Sequence, residues 1–163
     1  ACLPGGTLIG AHVAALRPHC QRLVVVLGCQ AQAIHQVLPQ DVEVQINADW
    51  STTQMVDSVR MGLQMLPADD HVLITPVDVP PAPEHVLQRM STGSGSAVPT
   101  HQGQPGHPVR VEIGAVLERL SRGTLADALA AAPRVELSWP DIHRNLNTPE
   151  AWAAFLDSLS DDR

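Results

Sequence analysis

The chain has 163 residues, of which 44% are hydrophobic, and ten basic against 17 acidic residues give a net charge of -7. This length suits one domain, residues 1–163, with a sizeable core. The acidic balance argues against nucleic acid or an anionic membrane as a general partner, because neutralising phosphates requires a basic face, and no apolar run reaches the 18 residues of a membrane span.

The first half of the chain alternates between helical and strand patterns. Apolar residues at helical spacing predict three helices, and β-branched or alternating runs predict three strands. In chain order they are helix 7–18, strand 23–28, helix 29–39, strand 42–47, helix 52–67 and strand 71–77. Short connections between such elements predict an α/β fold, a Rossmann-like three-layer sandwich with a mostly parallel sheet and helices on both faces.

The second half is less regular. Two strands surround a turn, two short helices follow, and a late strand precedes a terminal helix. These segments are strand 96–100, turn 101–106, strand 107–113, helices 114–120 and 124–132, strand 134–139 and helix 148–159. Thr148 is the expected N-cap of the last helix, with Pro149 as its first residue.

Asp78 is a lone carboxylate at the end of the apolar strand 71–77. Parallel sheets bind ligands outside the carboxyl ends of their strands. Pro80, Pro81 and Pro83 stiffen the exit of the strand, and a single rigid carboxylate there suits Mg²⁺, which leaves room for substrate phosphates. The alternative is an Asp that only shapes a turn or caps a helix.

Cysteine usage bears on the compartment. Cys2, Cys20 and Cys29 are odd in number and form no CxxC pair. They predict free thiols of a reduced environment. Because no signal peptide is visible either, we expect a cytoplasmic protein.

Five short motifs stand in one order along the chain: "INADW", "LITPVDVP", "GQPGHPVRV", "RGTLADAL" and "NLNTPEAW". Together they resemble the MobA-like nucleotidyltransferases, which include the molybdenum cofactor cytidylyltransferases and guanylyltransferases. The similarity extends from Leu3 to Trp152. Ala48 departs from the pattern, because the family usually has Pro at that position.

The resemblance implies a reaction and a metal. A nucleoside triphosphate, with CTP or GTP favoured, would give its nucleotidyl group to a small phosphorylated acceptor of molybdopterin type, and pyrophosphate would leave. Asp78 would hold Mg²⁺, and Asn147 would lie near the same ion. The alternative for Asn147, and likewise for Asn145, is a residue of the first turn of a helix. A molybdoenzyme or an accessory protein would be the protein partner.

Other residues take roles only through the same resemblance. Gly106 and His107 would lie on the acceptor side, where His107 would bond a phosphate or a pterin edge. The alternative is a His that locks a turn. Asn47, Gln54 and Ser58 would contact the nucleotide, and we expect the nearby Thr52 to cap the helix instead.

The strongest family signature, a first strand with a Gly-rich phosphate loop carrying Arg and Lys, does not occur in the sequence. Gly5 and Gly6 resemble the segment after that loop and predict a turn. We therefore expect an N-terminally incomplete chain of an ordinary enzyme, which is a poor catalyst as it stands. The alternative is an inactive relative that serves as a cofactor- or partner-binding module.

Overall fold

The structure, a computed structural model, describes residue 3 and residues 6–161, with side chains up to residue 159. Within this part the chain forms seven α-helices, two 3-10 helices and seven strands. Cys2 and Gly5 lie outside the described residues. Gly6 adopts a φ of 73°, and its amide donates to the Leu3 carbonyl at 2.9 Å, so the turn predicted at Gly6 is present.

The elements follow the predicted order. The helices are α1 Leu8–Leu16, α2 Ala31–Val37, α3 Met55–Leu63, α4 Glu84–Ser91, α5 Ile113–Leu120, α6 Leu125–Ala128 and α7 Pro149–Asp161. The strands are β1 Val24–Leu27, β2 Glu43–Ile46, β3 His71–Ile74, β4 Val98–His101, β5 Gln104–Pro105, β6 Val109–Glu112 and β7 Arg134–Glu136. The 3-10 helices are Arg17–His19 and Pro140–His143.

The α/β prediction is confirmed, but the strand pairing is mixed. β1 pairs with β2 and β4 with β7 in parallel, whereas β3 with β6 and β4 with β5 are antiparallel. A bridge between Ala97 and Arg110 joins the start of β4 to β6. The chain reverses after β4, so β6 runs against both β3 and β4. The expectation of a mostly parallel sheet therefore holds for only two of these four pairings.

Strands β1 and β3 each have one unpaired edge in the described part of the chain. β1 pairs only with β2, and β3 pairs only with β6. Helix α1 packs on both pairs, because Val13 joins a cluster with Leu27 of β1 while Leu16 joins one with Leu73 of β3. The sheet is thus interrupted between β1 and β3, and α1 spans the interruption.

The core around β3 is divided by the alternation of its side chains. Val72 and Ile74 pack into a cluster with α5 residues such as Val116, while Leu73 packs into a second cluster with α4 residues such as Leu87. Both clusters contain side chains that are fully buried. β3 is therefore held from two sides, which fixes where its carboxyl end lies.

Helix α4 was not predicted. It follows three prolines closely, and Pro83 is its N-cap. Val86, Leu87 and Met90 are its buried residues. Among residues 6–161, no helix is both long and apolar enough to cross a membrane.

Candidate active site

Asp78 lies in the turn just after β3, and it is half-buried. Its carboxylate forms no hydrogen bond or ion pair with the other described residues. Its main-chain carbonyl accepts a hydrogen bond from the Leu146 amide at 2.7 Å. The side chain therefore neither caps a helix nor braces its own turn, and it is available to an external ligand.

The segment that carries Asp78, residues 75–83, depends on bonds from outside it. Four of its nine residues are prolines, which have no N–H to donate. β3 ends at Ile74, two residues earlier than the first of these prolines, so strand 71–77 was predicted too long. We call residues 75–83 the Asp78 loop.

Asn145 and Asn147 are brought to this loop by the residue between them. Leu146 is buried and bonds to Asp78, whereas both asparagines are exposed. The Asn145 side chain accepts from the Asn147 amide at 2.9 Å, which shapes the turn. The Asn147 side chain has no hydrogen-bond partner among the described residues, so its amide oxygen is free to bind.

The start of α7 follows the prediction. The hydroxyl of Thr148 accepts from the Ala151 amide at 3.1 Å, and Pro149 is the first helical residue. This N-cap arrangement fixes the direction in which the chain leaves Asn147.

His107 is half-buried, and a cis peptide bond joins it to Pro108. Its Nδ1 lies 3.4 Å from the Ile74 carbonyl, at the end of β3. Burial lowers the pKa of this imidazole below 6.5, opposed by the Ile74 carbonyl and the charge of Asp78. A neutral ring that donates from Nδ1 leaves Nε2 as an acceptor.

Gly106 has a structural reason for its identity. A Cβ at this position would overlap the carbonyl oxygen of Ile142. The Gly106 amide also donates to the Pro99 carbonyl at 3.0 Å. The main chain at Gly106 thus lies close against the second 3-10 helix.

His12 is a site residue that the sequence did not reveal. It lies on α1, is 6% exposed, and its Nε2 is 2.9 Å from the Val79 carbonyl. Burial lowers its pKa below 6.5, against the Val79 and Val77 carbonyls and the charge of Asp78. The only signal in the sequence was a His within the apolar stretch "GAHVAAL".

Asn47, at the end of β2, is buried within a polar network. Its Nδ2 donates to the hydroxyls of Thr53 at 2.9 Å and Ser58 at 3.1 Å. Its Oδ1 accepts from the Asp49 amide at 3.1 Å. All the polar atoms of the Asn47 side chain are thus engaged, and the network joins β2 to α3.

Gln54, rather than Thr52, is the N-cap residue of α3, so the expected cap at Thr52 is wrong. The helix begins at Met55, and the hydroxyl of Thr52 instead donates to the Asp49 carbonyl. The main-chain N–H of Gln54 donates to the Asp57 carboxylate at 3.0 Å, and this contact fixes the first turn of the helix. Gln54 itself is exposed.

The structure therefore forms two polar groups. One contains Asp78, His107 and the Asn145–Asn147 segment, with His12 beneath it. The other contains Asn47, Thr53 and Ser58, whereas Gln54 lies beside it at the start of α3 and bonds to Asp57. Within residues 6–159, no side-chain hydrogen bond joins the two groups.

The oxygen ligands near Asp78 suit a hard cation that needs only one or two ligands from the protein. The described residues contain no group of three or more His, Cys, Asp and Glu side chains that would enclose a metal ion. One free carboxylate and one free amide oxygen instead match Mg²⁺, which keeps waters and substrate oxygens in its shell. The residues present fit such an ion.

Comparison with known proteins identifies the family. Residues 1–137 match the family described as "MobA-like NTP transferase domain". The molybdenum cofactor cytidylyltransferase of Escherichia coli (strain K12) is 21% identical over 154 residues, which are 89% of this chain and 79% of that protein.

Two solved structures share the fold. A nucleotidyl transferase from Methanothermobacter superposes with a TM-score of 0.82 at 22% identity, over 99% of this chain and 84% of that one. A Mycobacterium tuberculosis H37Rv protein, solved in complex with manganese, gives a TM-score of 0.76 at 18% identity, over 93% of this chain and 87% of that one. The chain therefore belongs to the MobA-like NTP transferase domain family and, by that membership, is a nucleotidyltransferase.

Proposed function

We propose that the chain transfers a nucleotidyl group from a nucleoside triphosphate to a small phosphorylated acceptor of molybdopterin type, in a Mg²⁺-dependent reaction that releases pyrophosphate. The family and the E. coli relative support the chemistry. The single observation that carries the proposal is the free, half-buried carboxylate of Asp78 at the end of β3.

Asp78 and Asn147 are the residues that we propose hold the metal ion. The Leu146–Asp78 hydrogen bond supports this pairing, since it places Asn147 one residue away from a contact with Asp78. When bound, Mg²⁺ would neutralise charge where two phosphates meet. A related protein solved with manganese supports a divalent ion.

His107 faces the acceptor in this proposal. With Nδ1 directed at the Ile74 carbonyl, the free Nε2 of the neutral ring can accept a hydrogen bond. Because Nε2 accepts, it can bind an N–H group on a pterin edge, whereas a phosphate oxygen itself only accepts and has no hydrogen to donate to Nε2. Gly106 shapes the turn that presents this ring.

The nucleotide lies on the side of α3 in this proposal. The exposed Gln54 side chain would contact the base or a phosphate, and Asn47 and Ser58 would fix the backbone beneath it. CTP is the first nucleotide to test, because the E. coli relative is a cytidylyltransferase, and GTP is the second.

A further strand and phosphate loop would complete the site. The open edges of β1 and β3, spanned by α1, support this proposal. The side chains of β3 also support it, because Leu73 and Val72 are packed on opposite faces of the strand, as in a three-layer arrangement with helices on both faces.

The test measures pyrophosphate release from each of the four nucleoside triphosphates with molybdopterin as acceptor. It uses the 163-residue chain and a version extended by whatever the gene encodes before Ala1. Asp78→Asn should lower Mg²⁺-dependent turnover about a hundredfold or more, because the ion loses the charged ligand that we propose for it among the described residues. The fold should survive, since no described residue bonds to that carboxylate.

Asp69→Asn is the matched control. Asp69 is exposed before β3 and has no polar partner among the described residues, so the variant removes the same charge without touching the site. Equal turnover of the Asp78 and Asp69 variants would remove Asp78 from the mechanism. No turnover with any nucleotide in the extended chain would reject the transferase proposal.

The second candidate is an inactive relative that binds a cofactor or a molybdoenzyme. The open edges of β1 and β3 are the observation that favours it, because an unpaired strand edge can bind another chain. Nucleotide binding without turnover, together with stable capture of a purified molybdoenzyme, would support this candidate over the first.

A further inference from the structure

We propose that His12 is a positioning residue, which holds the Asp78 loop by donating a hydrogen bond to its main chain. The inference rests on the function proposed for Asp78. It assigns to α1 a part in the reaction, although no side chain of α1 is proposed to touch the metal ion or a substrate.

The hydrogen bond joins two distant parts of the chain. Nε2 of His12 lies 2.9 Å from the carbonyl oxygen of Val79, 67 residues later. A carbonyl only accepts, so Nε2 must carry the hydrogen. Both His12 and Val79 are buried, at 6% and 7% exposure, so water does not compete for this contact.

The bond acts at a critical point of the loop. The carbonyl of Asp78 accepts from Leu146, and the next carbonyl, that of Val79, accepts from His12. Consecutive carbonyls are thus fixed from outside by α1 and by the segment before α7. Because the loop is rich in prolines and poor in donors, these two bonds determine where the Asp78 side chain points.

The residues that line the recess around His12 offer no unused donor, because the hydroxyl of Thr75 already donates to the Pro76 carbonyl at 3.3 Å. The recess beside the imidazole has no volume that a water molecule could occupy. Its other lining residues are Ala15, Leu16, Thr75, Ala82, Leu87 and Pro108. If the donor is lost at constant side-chain volume, the Val79 carbonyl stays buried without a partner or the loop moves to find one.

His107 supports the loop less strongly. Its Nδ1 is 3.4 Å from the Ile74 carbonyl, a longer contact at the entrance of the loop. His12 binds at 2.9 Å on the exit side, next to Asp78 itself. The loss of His12 should therefore displace the carboxylate even with His107 in place.

The experiment compares two substitutions of similar size, His12→Gln and His12→Met. Gln can donate to the Val79 carbonyl and Met cannot, so a difference between them reports the hydrogen bond rather than the volume. His35→Gln and His35→Met are controls, because His35 is exposed on α2 and has no side-chain partner among the described residues.

The first readout is the ratio of two hydrogen-exchange rates, that of the Leu146 amide and that of the main-chain amide of Arg110 on β6. Loss of a net hydrogen bond should speed exchange of Leu146 about fivefold or more in His12→Met, with His12→Gln close to the wild-type ratio. This readout needs no catalysis and corrects for global stability. An unchanged ratio in His12→Met would overturn the proposal.

The second readout is turnover of the active chain. A displacement near 1 Å can cost about a hundredfold, so His12→Met should lower kcat about 10- to 100-fold, with little change in the KM for nucleotide, and His12→Gln should restore most of it. In the Asp78→Asn background the two variants should be equal. A kcat that falls equally for Gln and Met, or that falls further in that background, counts against positioning.

The two readouts separate the failures. An inactive extended chain with the wild-type sequence would reject the transferase proposal, while Leu146 exchange would still decide whether His12 holds the loop. A changed exchange ratio with unchanged kcat would show that the loop is held but that its position does not matter to the reaction, and this would overturn the proposal.

Discussion

His12 is buried and His107 is half-buried, and the charge of Asp78 acts on both imidazoles. Burial lowers the pKa of both below the ordinary 6.5, and in each case the charge of Asp78 opposes the shift only in part. Near neutral pH both rings are therefore uncharged in the folded chain. Their hydrogen bonds to the Val79 and Ile74 carbonyls then fix which nitrogen donates.

These shifts predict how stability depends on pH. Below pH 6.5 the unfolded chain binds protons that the folded chain does not, so the free energy of unfolding should fall as the pH drops from 7.5 towards 5.5. The stability is fully present above 6.5 and is lost as the pH passes through the lowered folded values. Urea unfolding at pH 7.5, 6.5 and 5.5 measures this loss.

His12→Gln supplies the control, because Gln does not titrate. The loss of stability between pH 7.5 and 5.5 should be smaller in this variant, with the remainder from His107. Asp127 and Glu136 do not interfere, because their lowered pKa values act below 4.5. A wild-type slope in His12→Gln would show that His12 gains its proton freely in the folded chain.

Helix α4 illustrates how an element depends on a residue far from it. The guanidinium of Arg110, on β6, donates to the carbonyls of Met90 and Thr92 at the end of α4 and to those of Ser94 and Gly95 beyond it. The last carbonyls of a helix have no partner within the helix. Arg110, only 8% exposed, supplies those partners from a single planar group.

Arg110→Lys should therefore destabilise the protein, although the substitution keeps the positive charge. A single ammonium cannot reach four carbonyls in the geometry of the guanidinium, so we expect a loss of about 2–3 kcal/mol in the free energy of unfolding. Arg89→Lys, an exposed change on the same helix, should stay within about 0.5 kcal/mol. Similar losses for the two variants in urea unfolding would contradict the role of Arg110.

Local sequence patterns predicted most elements but not their assembly. Strand β1 follows from "LVVVLG" and α7 from Thr148 and Pro149, because the causes are neighbours in the chain. Helix α4 was missed since the prolines before Glu84 concealed its short apolar stripe. The antiparallel position of β6 depends on pairing with residues about 40 positions earlier, which no local pattern contains.

The same distinction applies to the site. Asp78 was found because an acid at the end of an apolar strand is conspicuous, and its carboxylate is free in the structure. His12 was missed because its partner lies 67 residues away. Gly106 was assigned to the acceptor side through the resemblance, but the group that lies against it is the carbonyl of Ile142, which no motif indicates.

At the scale of the molecule, stability should differ between the two parts of the interrupted sheet. β1 and β2 form an isolated two-stranded pair with half-buried valines, whereas β6 lies between β3 and the start of β4, with Val111 fully buried. Two-stranded pairs are marginal without further packing. The β1–β2 pair should therefore open before the rest.

Hydrogen exchange at four amides tests this prediction. Glu43 and Asn47 bond to β1 and its flank at 2.9 and 2.8 Å, and Ala97 and Arg110 bond to each other at 2.8 and 2.9 Å. We expect exchange at Glu43 and Asn47 to be faster by about tenfold or more. Since the bond lengths match, the difference would come from the smaller number of strands paired around them. Equal or slower exchange at Glu43 and Asn47 would refute the prediction that the β1–β2 pair opens first.

The hydrogen bond from Leu146 to the Asp78 carbonyl reaches past residue 137, where the match to the family ends. A fragment trimmed at that boundary would retain the acidic residue and the strand before it, yet lose the amide that fixes the peptide group beside it and the free Asn147 side chain. If Asp78 and Asn147 hold the metal ion as proposed, the segment that matches the family is smaller than the region that catalysis requires, and a minimal version of this domain has to extend at least to Asn147.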